Sequence, residues 1–172
     1  YKSINFQEKN LVLNSNKNIL ISCAPIWKFE EYIYNIYRNN KNVFKKINSI
    51  IVCSSSSVIT KKFAFNKFDK ELVKKLKFAE DKLINICQNL KIKCYILRPT
   101  MIYGFIDGYK DKNIGLIVKI MRIMPFILIP KNTGLRQPIH ANQLAKVIFF
   151  LSSIYASKKN NESKIFNIGG DE

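Results

Sequence analysis

Apolar residues occur in two patterns along this chain, as short continuous runs and at helical spacing, and the two patterns alternate. Short apolar runs, typical of buried strands, occupy residues 18–23, 49–53 and 93–97. The segments between them repeat apolar residues at helical spacing and predict helices over residues 27–40 and 69–90. Strands alternating with helices favour right-handed crossovers and a parallel sheet with helices on both faces. The predicted fold class is α/β.

The second half of the chain is less regular, but its pattern continues the same alternation. It predicts five further elements: a helix over residues 113–124, a strand over 126–129, a helix over 142–153, a loop over 156–163 and a strand running from 164 into a turn at 170. Asp69 and Asn142 are the expected N-caps of the two helices that begin near them.

Composition narrows the classes of function. With 172 residues, 47% hydrophobic and 24% charged, the chain is expected to form one globular domain or part of one. Its formal charge of +17 is carried almost entirely by scattered lysines. This pattern favours a solvated surface over a nucleic-acid interface, so no nucleic-acid partner is expected. The same charge would still attract anionic ligands such as nucleotide diphosphates.

The cysteines and the apolar stretches indicate a reducing, cytoplasmic setting. Cys23, Cys53, Cys87 and Cys94 show no C-x-x-C spacing, so we predict no metal site and expect Cys23 and Cys53 to be small buried apolar residues. Charges interrupt the apolar stretch 115–130, so no membrane span is expected. A start at tyrosine rather than methionine leads us to expect an internal fragment.

Four motifs occur in one order along the chain: the run Ser54-Ser55-Ser56-Ser57, a helix carrying Lys77 and Glu80, Leu-Arg-Pro-Thr-Met-Ile-Tyr-Gly over residues 97–104, and Arg136-Gln-Pro-Ile-His140 before a helix. In this order they resemble the extended short-chain dehydrogenase/reductase family of nucleotide-sugar epimerases and dehydratases. The resemblance implies a partial Rossmann-like, doubly wound parallel sheet with a small C-terminal substrate-binding lobe. Residues 1–104 would belong to the part that binds NAD or NADP, and residues 105–172 to the interleaved lobe.

The resemblance also implies roles for single residues. As catalytic residues it assigns Ser55, with Ser56 as an alternative, to the substrate hydroxyl, and Lys77 to the nicotinamide ribose. Near the cofactor it adds Ala24, Pro25 and Pro99. For the substrate it adds Thr100 and Arg136, whose planar guanidinium suits a diphosphate. The expected substrate is a nucleotide sugar of surface-polysaccharide synthesis.

Several family residues are replaced or absent. The catalytic tyrosine four residues before Lys77 is Val73, and residues 61–90 contain no tyrosine. The asparagine and the aspartate of two other motifs are Met101 and Gln143. The chain also lacks the G-x-x-G-x-x-G loop that binds the cofactor pyrophosphate, and nothing in it selects NAD over NADP.

These replacements leave alternatives open. The whole protein could be a redox-silent NAD(P)-binding sensor or scaffold of the same family, or, less favoured, a basic protein that binds nucleic acid or acidic membranes. Lys77 could be an exposed partner of Asp81, and Arg98 an internal ion-pair partner. His140, the only histidine, could be a hydrogen-bonding residue rather than a substitute base.

The strand over residues 18–23 is expected at a bare sheet edge. In the family the first strand lies beside it, and this sequence does not include that strand. An exposed edge of this kind favours association, including formation of a homodimer.

Overall fold

The computed structural model describes residues 11, 13, 15, 17–106, 108–111, 114–124, 126, 137–155 and 163–170. Its strands are β1 (Asn18–Ser22), β2 (Ile47–Cys53), β3 (Lys93–Pro99), β4 (Ile102–Tyr103), β5 (Phe105–Ile106), β6 (Tyr109–Lys110), β7 (Ile139–His140) and β8 (Lys164–Ile168). Its helices are α1 (Ile26–Asn39), a 3-10 helix (Lys41–Lys46), α2 (Ser57–Thr60), α3 (Lys67–Asn89), α4 (Ile114–Ile123) and α5 (Ala141–Tyr155).

Four parallel strands form the main sheet, in the order β1-β2-β3-β8. The small strands β4 and β7 pair in parallel, and β5 pairs with β6 in antiparallel fashion. This confirms the predicted α/β class with a parallel sheet. Strand β8 lies in the range of the predicted C-terminal lobe and pairs with β3 of the main sheet. The lobe and a domain boundary at residue 104 stay predictions.

Helices cover both faces of the sheet, as a doubly wound fold requires. On one face, residues of α1 and α3 pack with Ile50 and Val52 of β2 in one core. On the other face, Leu144 and Ile148 of α5 pack with Ile51 of β2 in a second core. Alternate side chains of β2 are thus buried on opposite faces, which is why this strand is a continuous apolar run.

Helix α3 begins two residues before the predicted cap. Asn66 is the N-cap, because its Oδ1 accepts a hydrogen bond of 2.8 Å from the backbone N–H of Asp69. Asp69 returns the contact, since its Oδ2 accepts from Asn66 Nδ2 at 2.9 Å. The prediction of Asp69 as N-cap was therefore wrong. The sequence holds two suitable capping residues three positions apart, and they bond to each other.

One lateral edge of the sheet is formed by β1, as predicted. Among the described residues β1 pairs only with β2, and Ile21 of β1 is 42% exposed. Helix α4 is apolar along most of its length, yet within the described part of the chain Gly115 is its only buried residue. The predicted strand over 126–129 lies outside the described residues, apart from Phe126.

Candidate functional site

The carboxyl ends of β1, β2 and β3 lie side by side at one end of the sheet. This carboxyl edge is distinct from the lateral edge that β1 forms. The strands run parallel with Ser22 opposite Val52 and Cys53 opposite Leu97, so the residues that follow them are neighbours. The predicted residues Ala24, Ser55 and Thr100 all follow these strand ends. The structure therefore brings three of the predicted site residues to one edge, where open α/β sheets bind ligands.

A buried carboxylate fixes the backbone beneath this edge. Glu80 of α3 is fully buried, and its Oε1 accepts hydrogen bonds from Ser54 Oγ at 2.6 Å and from Arg98 Nε at 2.9 Å. Arg98 Nη2 donates to the other carboxylate oxygen. The hydrogen bonds to Glu80 raise the pKa of the Arg98 guanidinium. The interpretation of Arg98 as an internal ion-pair partner is confirmed.

Sequence reasoning missed that Ser54 and Glu80 share this network. A charged residue three positions after a lysine on a helix has the pattern of a solvated side chain. Only its position relative to Leu76 and Leu83, which are also buried, places it on the inner face of α3. That helical spacing was the signal available in the sequence.

Ser55 lies next to this network and is half-buried. Its Oγ accepts a hydrogen bond from the backbone N–H of Ser57 at 3.1 Å and donates to Ser57 Oγ at 3.0 Å. A hydroxyl oxygen has two acceptor lone pairs, so this turn leaves one of them for a further donor. Ser56, the alternative, contributes its backbone N–H to the Pro99 carbonyl at 3.0 Å. Both side chains are half-buried, so the choice of Ser55 over Ser56 stays a prediction.

Lys77 lies on the outer side of α3. Its Nζ is 2.7 Å from Asp81 Oδ1, and both side chains are about half exposed. The neighbouring Leu76 is 3% exposed and lies on the same helix face as Glu80. The geometry supports the ion-pair interpretation of Lys77, whose role at a cofactor stays a prediction. Val73 is half-buried one turn before Lys77.

Residues Pro99 and Thr100 join the sheet to the segment before α5. Pro99 is buried, and the backbone N–H of Thr100 donates to the Ile168 carbonyl at 2.9 Å. Thr100 Oγ1 donates to the carbonyl of Gln137. The Thr100 hydroxyl therefore already donates its hydrogen to a group of the protein. Arg136, the predicted diphosphate ligand, lies outside the described residues.

The residues after β1 begin a helix. Ala24 is half-buried and Pro25 is exposed. The Pro25 carbonyl accepts from the backbone N–H groups of Lys28 and Phe29 at 2.9 and 3.2 Å, which starts α1. Both predicted cofactor residues thus border the edge, and Ala24 adds little side-chain bulk there.

His140, the residue before α5, packs against Gly104. Gly104 has a φ of +138°, and a Cβ added to it would lie 2.8 Å from His140 Nε2. His140 Nδ1 accepts from the backbone N–H of Asn142 at 3.2 Å, and Gln143 Oε1 accepts from the backbone N–H of His140 at 3.1 Å. These contacts support the hydrogen-bonding interpretation of His140. They also show that the prediction of Asn142 as N-cap was wrong, because His140 and Gln143 cap the helix.

Two negative findings concern the described residues alone. They include no group of three or more His, Cys, Asp or Glu side chains arranged to hold a metal ion. Among the helices described, none is both long enough and apolar enough to cross a membrane.

Two solved structures with a similar fold are described as UDP-sugar 4-epimerases. The chain is similar to UDP-glucuronic acid 4-epimerase from Bacillus cereus in complex with NAD, with 19% identity, a TM-score of 0.59, and coverage of 86% of this chain and 46% of that one. It is also similar to a UDP-galactose 4-epimerase, with 11% identity, a TM-score of 0.55, and coverage of 80% and 46%. No protein-family model and no curated protein matches the sequence.

At these identities the likeness establishes the fold, and the chain spans about half the length of both structures. The partial Rossmann-like fold that the motifs implied is confirmed.

Proposed function

We propose that this chain is part of an NAD(P)-dependent protein of the nucleotide-sugar epimerase, dehydratase and oxidoreductase type. Its substrate would be a nucleotide sugar used in surface-polysaccharide synthesis, and its location the cytoplasm. The observation that carries the proposal is the convergence of Ala24, Ser55 and Thr100 at the carboxyl edge of three parallel strands. The shared fold with two UDP-sugar 4-epimerases, one of them in complex with NAD, supports the same ligand classes.

The side chains present fit part of such a site. Ser55 has a half-buried hydroxyl with a lone pair for a substrate hydroxyl, and the small side chain of Ala24 leaves room for a cofactor. A bound nicotinamide would supply the hydride acceptor. In this proposal Ser55 orients the sugar hydroxyl, Pro99 lies beneath the nicotinamide and Arg136 binds the diphosphate. Lys77 would reach the ribose only by leaving Asp81.

One observation favours a redox-silent protein of the same fold as the second candidate. The inner face of α3 carries Leu76 and Glu80, with Val73 one turn earlier. Leu76 and Val73 cannot accept a proton, and the Glu80 carboxylate is fully engaged by Arg98 and Ser54. These three inner-face positions therefore offer no free general base for a hydroxyl held by Ser55. A sensor or scaffold needs only the binding part of the site.

The experiment is a paired measurement of binding and turnover. Binding of NAD, NADP and UDP-sugars is measured by calorimetry on the full reading frame, after sequencing the gene upstream of Tyr1 for a strand followed by a G-x-x-G-x-x-G loop. We expect Ser55→Ala to weaken nucleotide-sugar binding several-fold. Ser152→Ala is the matched control, because its hydroxyl donates to the Phe149 carbonyl on an exposed part of α5. It should leave binding unchanged.

The outcomes separate the candidates. Binding with interconversion of UDP-sugars supports the enzyme, whereas binding without interconversion or reduction of the cofactor supports the redox-silent candidate. If neither nucleotide binds, but DNA or anionic vesicles bind with an affinity that falls steeply with salt, both are overturned in favour of a basic binding surface.

A further inference from the structure

Two cysteines lie side by side at the carboxyl ends of β1 and β2. Ser22 is opposite Val52 in the parallel pairing, so the next residues, Cys23 and Cys53, are also neighbours. Their Sγ atoms are 3.9 Å apart. Paired strands run about 4.8 Å apart, and disulfides join Cα atoms separated by about 4.4–6.8 Å. Closing this pair therefore requires side-chain rotation rather than movement of the backbone.

The two thiols differ in exposure and in pKa. Cys23 is exposed, contrary to the expectation that it is a buried apolar residue, whereas Cys53 is buried. It is exposed because β1 is the edge strand and ends there. Cys53 donates its S–H to Cys23, and this hydrogen bond lowers the pKa of the Cys23 thiol to about 7. The same bond, together with burial, raises the pKa of Cys53. Cys23 is thus the exposed thiol that ionises more readily, and Cys53 is the buried partner that donates to it.

We propose that Cys23 and Cys53 form a peroxide-sensitive dithiol, with Cys23 as the attacking thiol and Cys53 as the resolving thiol. Cys23 releases its proton to solvent, the resulting thiolate attacks one oxygen of a hydroperoxide, and the O–O bond breaks. The products are a sulfenic acid and hydroxide or alkoxide, which takes up the released proton. The Cys53 sulfur then attacks the sulfenic sulfur, the S–O bond breaks, and water leaves. Two thiols are oxidised to one disulfide, and the hydroperoxide is reduced to water or to water and an alcohol.

The disulfide would join the ends of β1 and β2 immediately before Ser54. It would form only when hydroperoxide is present, because a reducing compartment returns such a pair to thiols. This inference does not depend on the proposed function, since it rests on the pairing of two strands. A nucleotide-binding failure would leave it standing.

The chain carries its own control pair. Cys87 of α3 and Cys94 of β3 are both 0% exposed, and their thiols also form a hydrogen bond with each other. They differ from the first pair in lacking an exposed member. Peroxide should therefore reach Cys23 and not Cys87 or Cys94 while the protein is folded.

The test is thiol mapping after brief treatment of the folded chain with stoichiometric hydrogen peroxide. Remaining thiols are blocked with N-ethylmaleimide in denaturant, and the protein is analysed by intact-mass and peptide mass spectrometry. We expect a loss of two hydrogens, a peptide that links Cys23 to Cys53, and maleimide adducts on Cys87 and Cys94. Dithiothreitol should restore adducts on all 4 cysteines. Over-oxidised or intermolecularly linked Cys23 with Cys53 still free would overturn the proposal, and so would equal oxidation of the buried pair.

Two variants assign the roles. In Cys53→Ser, the sulfenic acid on Cys23 should persist and be trapped by dimedone, whereas in Cys23→Ser, Cys53 should stay reduced. Circular dichroism checks that both variants fold. If either fails to fold, the linked peptide of the unaltered chain decides the question by itself. Equal trapping on Cys23 with and without Cys53 would show that Cys53 does not resolve the sulfenic acid.

Discussion

The two faces of the main sheet differ in how completely helices close them. On the α1 and α3 face, a continuous apolar core surrounds the fully buried Glu80 and its partners. On the α5 face, the buried core is centred on β2 and β3, and Ile21 of the edge strand is 42% exposed. Among the described residues, the α1 and α3 face therefore holds the larger buried core, whereas the α5 face leaves Ile21 and Phe150 exposed. The predicted effects of substitutions follow this division.

The largest effect is expected from Glu80→Ala on the α1 and α3 face. The substitution leaves Arg98 without its buried carboxylate and Ser54 without its acceptor. Removing one member of a buried ion pair costs about 3–5 kcal/mol of unfolding free energy. Urea unfolding followed by circular dichroism measures it.

The matched control is Asp81→Ala, one residue further along the same helix. Its carboxylate pairs with Lys77 at the surface. An exposed pair of this kind is worth about 0.5 kcal/mol or less. Equal losses for the two variants would mean that the Glu80 network contributes no more than a surface pair.

A direct comparison of the faces comes from Leu83→Ala and Phe150→Ala. Leu83 is 0% exposed in the core of the α1 and α3 face, and Phe150 is 61% exposed on α5. We expect a loss of about 2–5 kcal/mol for the first and a change within about 0.5 kcal/mol for the second. Thermal unfolding at several protein concentrations checks this. If Phe150→Ala is as costly as Leu83→Ala, and the cost depends on concentration, α5 is covered by a second copy in solution.

Gly104→Ala tests a close contact near the start of α5. Alanine at a φ of +138° is strained, and its Cβ would approach His140 Nε2 to 2.8 Å. We expect a loss of about 1–3 kcal/mol in urea unfolding. Adding His140→Ala should recover the part due to the contact and leave the part due to φ. No recovery would assign the whole loss to backbone strain.

The smallest effect concerns pH and the first turn of α3. Lys61 Nζ, 2.6 Å from Asp69 Oδ1, and then Asn66 hold the pKa of Asp69 below its ordinary value of 3.8. A carboxyl whose folded pKa is lowered stabilises the protein above its unfolded pKa, and this contribution is lost as pH falls through the folded value. The difference in unfolding free energy between the unaltered chain and Asp69→Asn should therefore shrink as the solution is acidified. A difference that does not change with acid would contradict the assignment.

The central strands could be predicted from the sequence because burial on both faces produces uninterrupted apolar runs. Ile50, Ile51 and Val52 are all buried, on alternating sides of β2. The start of α3 was predicted less well, because Asn66 and Asp69 are both good capping residues and only the backbone shows which one is extended. The exposure of α4 could not be predicted, since an apolar pattern does not identify what packs on it.

For the candidate site, the order of motifs predicted which strand ends come together but not the direction of each side chain. Ser55 and Ala24 lie at the expected edge, whereas Lys77 faces Asp81 on the outer side of its helix. Glu80 was named only as a companion of Lys77, although it is the residue that organises the strand ends. Helical spacing marks the inner face of α3, but it does not show which partner a polar residue on that face meets, because that depends on how the helix packs against the strands.

The hydrogen bond from Ser54 to Glu80 has a consequence for the entropy of binding. It fixes the residue before Ser55 to a carboxylate in the core, and the Ser56 N–H fixes the residue after it to β3. The backbone at Ser55 therefore loses its conformational freedom when the protein folds. A ligand that meets this hydroxyl does not have to order the loop, so more of its contact energy remains as affinity.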